Sequence, residues 1–125
     1  MKVFKFKIHG PIKGGKNSMN INRFGGHYAK HSWAEWRDQV VAEFREVLNL
    51  KELKPVFTKP CKITVFYTPF DRKRRDTPAM LDSIYHCLEK VGLVADDCLL
   101  QNVTWYQYAL DKKNAGEEIE VSELE

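Results

Sequence analysis

The sequence predicts a small α/β domain of two layers, a mixed β-sheet packed with two helices, and three observations carry that prediction. Short segments of alternating apolar and polar residues, bounded by Gly, Pro and Asn, read as strands near residues 3–9, 61–68, 100–109 and 117–122. Two longer stretches, around residues 32–50 and 77–91, repeat their apolar residues at helical spacing. The length of 125 residues and a hydrophobic content of 43% suit one domain, spanning 1–125, around a single core. Helices and strands interleave along the chain, which makes a sheet covered by helices the economical arrangement.

Each element has a local cause. In Val3 to His9, Phe4, Phe6 and Ile8 share one face and Lys5 and Lys7 the other, the pattern of a half-buried strand. "GPIKGGKNSMNINRFGG" follows, rich in Gly, Asn and Lys, and reads as a loop; one so long in a compact domain is usually functional. "HYAK" reads as a short strand. Ser32 and Glu35 then form an S-x-x-E capping box that starts a helix ending near Leu50. Its apolar stripe is Trp33, Trp36, Val40, Val41, Phe44, Val47 and Leu48. The prolines of "KELKPVFTKP" make that segment a linker.

Cys61 to Thr68 alternates Ile63, Val65 and Tyr67 against Lys62, Thr64 and Phe66, and Pro69 stops the strand. Thr77-Pro78 opens the second helix, Thr77 extended as an N-cap and Pro78 at the first helical position. Leu81, Ile84, Leu88 and Val91 form its buried stripe, and Gly92 ends it. Leu100 to Ala109 and Glu117 to Ser122 are the last strands, which "DKKNAGEE" joins as an antiparallel hairpin.

The net charge of +3 is modest, but its distribution is uneven. Acids gather at Glu117, Glu118, Glu120, Glu123 and Glu125, while Arg72, Lys73, Arg74 and Arg75 form a basic run, the mark of a polyanionic partner. No apolar run approaches the ~20 residues that cross a bilayer, so no membrane partner is expected. "MKVFKFKIHG" has no continuous apolar block and is not a signal peptide. Cys61, Cys87 and Cys98 make no CxxC pair, which fits free thiols in a reducing cytoplasm and argues against zinc. No Walker loop and no Ser/His/Asp arrangement is present, and no small-molecule cofactor beyond a metal is expected.

The segment "RKRRDTPAMLD" with the following "VADD" concentrates charge of both signs. Asp76 lies just outside the second helix, Asp82 inside it and off its apolar stripe, and Asp96 and Asp97 beyond its far end. A chain running along a strand, a helix and back either brings these acids to one sheet edge or leaves them apart. If they converge, hard oxygen ligands without His or Cys suit Mg²⁺ or Mn²⁺. Such an ion, held by Asp76, Asp82, Asp96 and Asp97, supports phosphodiester hydrolysis, with Arg72, Lys73, Arg74 and Arg75 on the flanking phosphates. Lys13, Lys16, Asn20 and Arg23 of the long loop are further DNA contacts. The plainer reading gives Asp76 to a helix terminus, Asp96 to a turn and the basic run to solvent.

The segment resembles the RusA family of Holliday-junction resolvases, small dimeric endonucleases often carried by prophages. That family shows a basic run, then D-x-D-N-x-x-K opening a helix, then D-D after it. "DRKRRD" matches the basic run and first acid, and the interval through "CLEKVGLVADD" matches without a gap. The Asn-bearing loop, "HYAK", "WAEWRDQV" and the order of elements extend the likeness over nearly the whole chain. The resemblance implies a RusA-like fold, a homodimer, Mg²⁺, branched DNA as partner and the cytoplasm of a bacterial or phage-infected cell. It makes Asp76 and Asp97 the first and last catalytic acids, with Arg75 the basic residue ahead of the first.

The chain departs from the motif where Pro78, Ala79 and Asp82 stand in place of the family's second Asp, its Asn and its Lys. Two expectations follow. In one, Asp82 replaces the lost acid one helical turn along, with Lys73 or Lys16 neutralising phosphate, and the protein is a nuclease whose catalytic acids are Asp76, Asp82 and Asp97. In the other, the chain binds branched or single-stranded DNA without cutting it.

Overall fold

The computed structural model describes residues 3–10, 12, 19–21, 27–29, 31–48, 56–72 and 76–124. They form the strands β1 (Val3–His9), β2 (Met19–Ile21), β3 (His27–Ala29), β4 (Cys61–Thr68), β5 (Leu100–Gln107) and β6 (Gly116–Glu123). Two helices, α1 (His31–Leu48) and α2 (Thr77–Lys90), and a single 3-10 turn at Asp97–Leu99 complete them. The fold is the small α/β domain that the sequence implies, with two helices and a mixed four-stranded sheet in the order β1-β6-β4-β5.

The pairing of β6 differs from expectation. β5 and β6 form no hairpin: β6 runs antiparallel between β1 and β4, while β5 lies parallel to β4 on its other side. The cause is burial. Ile119 and Val121 of β6 are fully buried, and the central position gives that strand hydrogen-bond partners on both sides. The long segment read as a loop also contains structure, since Met19–Ile21 pairs with His27–Ala29 in a small antiparallel ribbon.

The helices cover one sheet face. Phe6, Ile8, Ile63, Val65, Ile119 and Val121 from the sheet meet Val40, Val41 and Phe44 of α1 and Ile84, Cys87 and Leu88 of α2. The Phe6 and Phe44 rings lie 4.5 Å apart. Val47, counted in the α1 stripe, is instead exposed. The buried face of α2 comprises Met80, Ser83, Ile84, Cys87 and Leu88, with Leu81 only half-buried. The stripe is rotated from the one that apolar spacing suggests because small Ser83 and Cys87 pack inward. Trp33 explains Ser83: its indole Nε1–H donates to Ser83 Oγ at 3.2 Å, which satisfies a fully buried hydroxyl and ties α1 to α2.

α2 ends as Gly92 predicts. Gly92 has φ 87°, its N–H donates to the Glu89 carbonyl and the Leu93 N–H to the Leu88 carbonyl, the paired bonds of a Schellman motif.

Two glycines give a comparison that checks the sheet geometry. Gly116 has φ 146° and a side chain there would collide with the Ile8 carbonyl oxygen, whereas Gly10 has φ 81° with open space around it. Gly116→Ala is expected to lower stability by about 2 kcal/mol or more, from backbone strain plus the clash, and Gly10→Ala by about 1 kcal/mol from strain alone. Urea denaturation of both variants checks this, and equal losses would contradict the close approach of β6 to β1.

Candidate functional site

The basic and acidic segment starts where β4 stops. At the end of β4 the Tyr67 carbonyl accepts from the Tyr108 N–H at 2.8 Å, and just past it the Pro69 carbonyl accepts from the Asp111 N–H at 3.1 Å, so residues 108–111 flank this end of the sheet. Arg72 is exposed on the way to α2. Lys73, Arg74 and Arg75, like Lys13, Lys16 and Arg23 of the long loop, lie outside the described residues. Asn20 sits on β2, where the backbone alone is described.

Asp76, rather than Thr77, is the N-cap of α2, with extended φ −73° and ψ 108°. Its backbone carbonyl accepts from the Met80 N–H at 3.1 Å, but its side chain makes no cap hydrogen bond. Pro78 supplies a reason. An N-cap side chain bonds to the N–H groups two or three residues on, and the nearer of these is Pro78, which has none. The Asp76 carboxylate is therefore exposed at the positive end of the helix without serving it as a cap.

Asp82 is half-buried on α2. Six residues separate it from Asp76, ~9 Å along the helix axis. Asp96 and Asp97 follow α2 and divide the work of the next turn. The Asp96 side chain caps the 3-10 turn, accepting from the Cys98 N–H at 2.9 Å. That backbone bond, then a bond with the Cys98 thiol, holds the Asp96 carboxyl below the usual carboxylate range. The same contact, with a smaller effect of desolvation, raises the Cys98 thiol. Asp97 is half-buried and faces α2: burial first, and then the Asp97 carboxylate, push the Tyr85 hydroxyl above its ordinary value.

Tyr85 and Asp82 are three residues apart and so neighbours on the helix surface. Asp97 thus flanks the Asp82–Tyr85 face, whereas Asp76 stands nine residues from Tyr85, ~14 Å along the axis. Among the described residues no three His, Cys, Asp or Glu side chains come together to hold a metal. The four aspartates named from sequence do not form such a group: Asp76 lies at one end of α2, Asp97 alongside its middle, and Asp96 is engaged in a cap.

The chemistry of the donors still fits one kind of ion. Mg²⁺ binds through one or two carboxylates and completes its shell with waters and substrate phosphates, so it does not require three protein acids. Asp76, exposed and free of the cap, offers a carboxylate of that type.

Two features of the sheet went unread in the sequence. Glu117, counted among the C-terminal acids, is buried on the core face in line with Ile119 and Val121, a placement that the alternation of β6 already encodes. On the opposite face Phe66 stacks with Tyr106 at 5.3 Å and with Tyr108 at 6.3 Å between ring centroids. That ladder depends on the parallel register Phe66↔Tyr106, which local pattern does not give. The helices add a negative finding: no helix among the described residues is long and apolar enough to cross a membrane.

No protein-family model matches this chain, and no curated protein matches it in sequence.

The cysteines report on the Asp96 cap. Burial pushes the Cys87 thiol up to about 12 and raises that of Cys61, while Cys98 is exposed. A thiol-reactive dye is expected to label Cys98 alone in the native protein at pH 8. Because the Asp96 contact raises its pKa and so lowers its thiolate fraction, Asp96→Asn is expected to speed that labelling several-fold; an unchanged rate would remove Asp96 from the thiol.

Proposed function

We propose that the chain is a divalent-metal-dependent endodeoxyribonuclease of RusA type, cutting Holliday junctions or related branched DNA in the cytoplasm of a bacterial or phage-infected cell. The observation that carries this reading is Asp76, an exposed carboxylate at a helix N-terminus that does not use it as a cap, directly after a run of four cations. An acid kept there against a basic stripe has a role in metal and phosphate chemistry more readily than in stability.

The residues divide the task by charge. Arg72, with the Lys73, Arg74 and Arg75 that follow it, neutralises backbone phosphates on either side of the cut. The N-terminal end of α2 adds its own positive potential to that stripe. Asp76 would hold Mg²⁺ or Mn²⁺, which when bound offsets the charge of the phosphodiester and lowers the pKa of a bound water. In this reading Asp82 and Asp97, nearer the middle of α2, would orient water or take up its proton. Hydrolysis forms a P–O bond to water and breaks the bond to the 3′ oxygen, leaving a 5′ phosphate and a 3′ hydroxyl.

A second reading, binding of branched or single-stranded DNA without cleavage, is favoured by one observation: Tyr106 and Tyr108 are exposed and stack in line with Phe66, rings of the kind on which bases can stack.

A synthetic four-way junction separates the two. With Mg²⁺ or Mn²⁺ the protein is expected to nick the junction, and Asp76→Asn to slow nicking by ~100-fold or more while junction affinity changes little. Tight binding without metal-dependent nicking selects the second reading, and absence of both binding and nicking overturns the two together. Nicking that survives Asp82→Asn removes Asp82 from the chemistry. Arg72→Ala is expected to weaken binding to all DNA sequences alike and to lower the slope of log K against log salt by about one; an unchanged slope would take Arg72 off the phosphates.

A further inference from the structure

The sheet face turned away from the helices carries a row of side chains set by strand register. Lys7 of β1 is opposite Glu118 of β6, Glu118 is opposite Phe66 of β4, and Phe66 is opposite Tyr106 of β5. Residues opposite one another share a face and lie ~5 Å apart, so the row reads cation, carboxylate, ring, ring. Lys7 and Glu118 are both exposed. The neighbouring pair, Lys5 and Glu120, closes to 3.7 Å, whereas among the described residues no ion pair joins Lys7 to Glu118.

A depression of about 270 Å³ opens over this row, with Lys7, Glu118, Phe66, Thr68, Tyr108 and Asn114 in its lining. That volume falls just below the ~300–1,000 Å³ of pockets for drug-sized ligands and suits a single flat ring system. Part of the lining is aromatic: the Phe66 and Tyr108 ring planes lie within 7° of each other. Another part is held in place in advance. The Asp111 carboxylate accepts from the backbone N–H groups of Lys113 and Asn114, and from the Asn114 side-chain amide at 2.8 Å. Thr68 ends β4, and Arg72 follows four residues later, at most ~14 Å of chain. The depression therefore stands at the sheet end from which the basic run leaves, within reach of a strand whose phosphate meets Arg72.

We propose that this depression holds one unpaired guanine of a bound DNA strand. The base stacks against Phe66 and Tyr108, continuing their ring ladder, and turns its edge to Glu118 and Lys7. The order of polar groups singles out guanine. A carboxylate only accepts hydrogen bonds and an ammonium only donates them. The Watson–Crick edge of guanine presents an acceptor, O6, and then two donors, N1–H and N2–H. O6 meets Lys7, and both donors meet Glu118 as charge-assisted bonds. Adenine and cytosine set a donor beside an acceptor, and thymine has one donor between two acceptors, so none of them gives Glu118 two bonds. Base pairing hides this edge in a duplex, which restricts the site to the opened bases of a branch point, a flap or a single strand. The inference rests on the DNA binding proposed above and adds base recognition to it, with or without cleavage.

Fluorescence anisotropy with short oligo(dT) strands carrying one central test position decides the matter, in EDTA so that no cutting intervenes. Deoxyguanosine there is expected to bind ~10-fold tighter than an abasic site. It is expected to bind ~5-fold tighter than deoxyinosine, which keeps the rings but lacks the 2-amino donor. Glu118→Gln is expected to erase the preference over deoxyinosine, and Phe66→Leu most of that over the abasic site, while both keep the phosphate-driven affinity for the abasic strand. Affinity for deoxyguanosine no greater than for deoxyinosine or for the abasic strand overturns the proposal, as does a preference over deoxyinosine that folded Glu118→Gln retains. Guanosine monophosphate competing as well as the oligonucleotide does would move the pocket to a free nucleotide and overturn the strand assignment. Because the deoxyinosine and abasic comparisons alter only the DNA, they decide even where a variant fails to fold. Nicking of a four-way junction without any base preference removes this inference and leaves the nuclease reading; no binding to any oligonucleotide or junction removes both.

Discussion

Parallel pairing of β4 with β5 is the constraint on which the rest of the site depends. Two parallel neighbours cannot be joined by a tight turn; the chain must leave the end of one strand and return to the start of the next, here through α2. Whatever precedes the helix is therefore held apart from whatever follows it. Asp76 and the Asp96–Asp97 pair fall on those two sides, and their separation is a property of topology rather than of local side-chain choice. The part of this separation that is recovered comes from the return of the chain after Gly92, which brings Asp97 back alongside Tyr85.

That return is fixed by hydrogen bonds. Beyond the Schellman turn, the Phe57 N–H donates to the Leu93 carbonyl at 2.8 Å and the Ala95 N–H to the Phe57 carbonyl at 3.1 Å, so the segment leading to Asp97 is clamped by a stretch of the linker. At its middle α2 is tied through Ser83 to Trp33, over whose ring Arg37 sits at 5.4 Å. The helix carrying Asp82 and Tyr85 is thus held along its length by two unrelated contacts. Asp76 lies outside both, which agrees with its exposure.

Sequence pattern conveyed the elements well because each has a local cause. Alternation marked β1 and β4, Gly92 ended α2, and apolar spacing found both helices to within a few residues. What local pattern lacks is the choice among partners. "DKKNAGEE" suits a hairpin, but a hairpin would place Ile119 and Val121 on an outer strand, and burying them between β1 and β4 wins. The cap of α2 was misplaced by one residue, because Pro78 marks a helix start without saying which residue precedes it. The acids were legible as a charged segment, while their spacing in space was not, since it follows from the crossover. Val47 and Leu81 show the same limit on a smaller scale: helical spacing names a stripe, and the neighbouring element decides how far it rotates.

The position of β6 also bears on how the chain is made. Val3 of the first strand pairs with Ser122 near the far end, and β4 reaches β1 only through the strand between them. During synthesis both β1 and β4 must wait with open edges until residues 116–123 have left the ribosome. Pairing across so long a stretch of chain is slow to nucleate, and in that interval the lysines of β1 guard a nascent strand that will later become a boundary of the finished sheet.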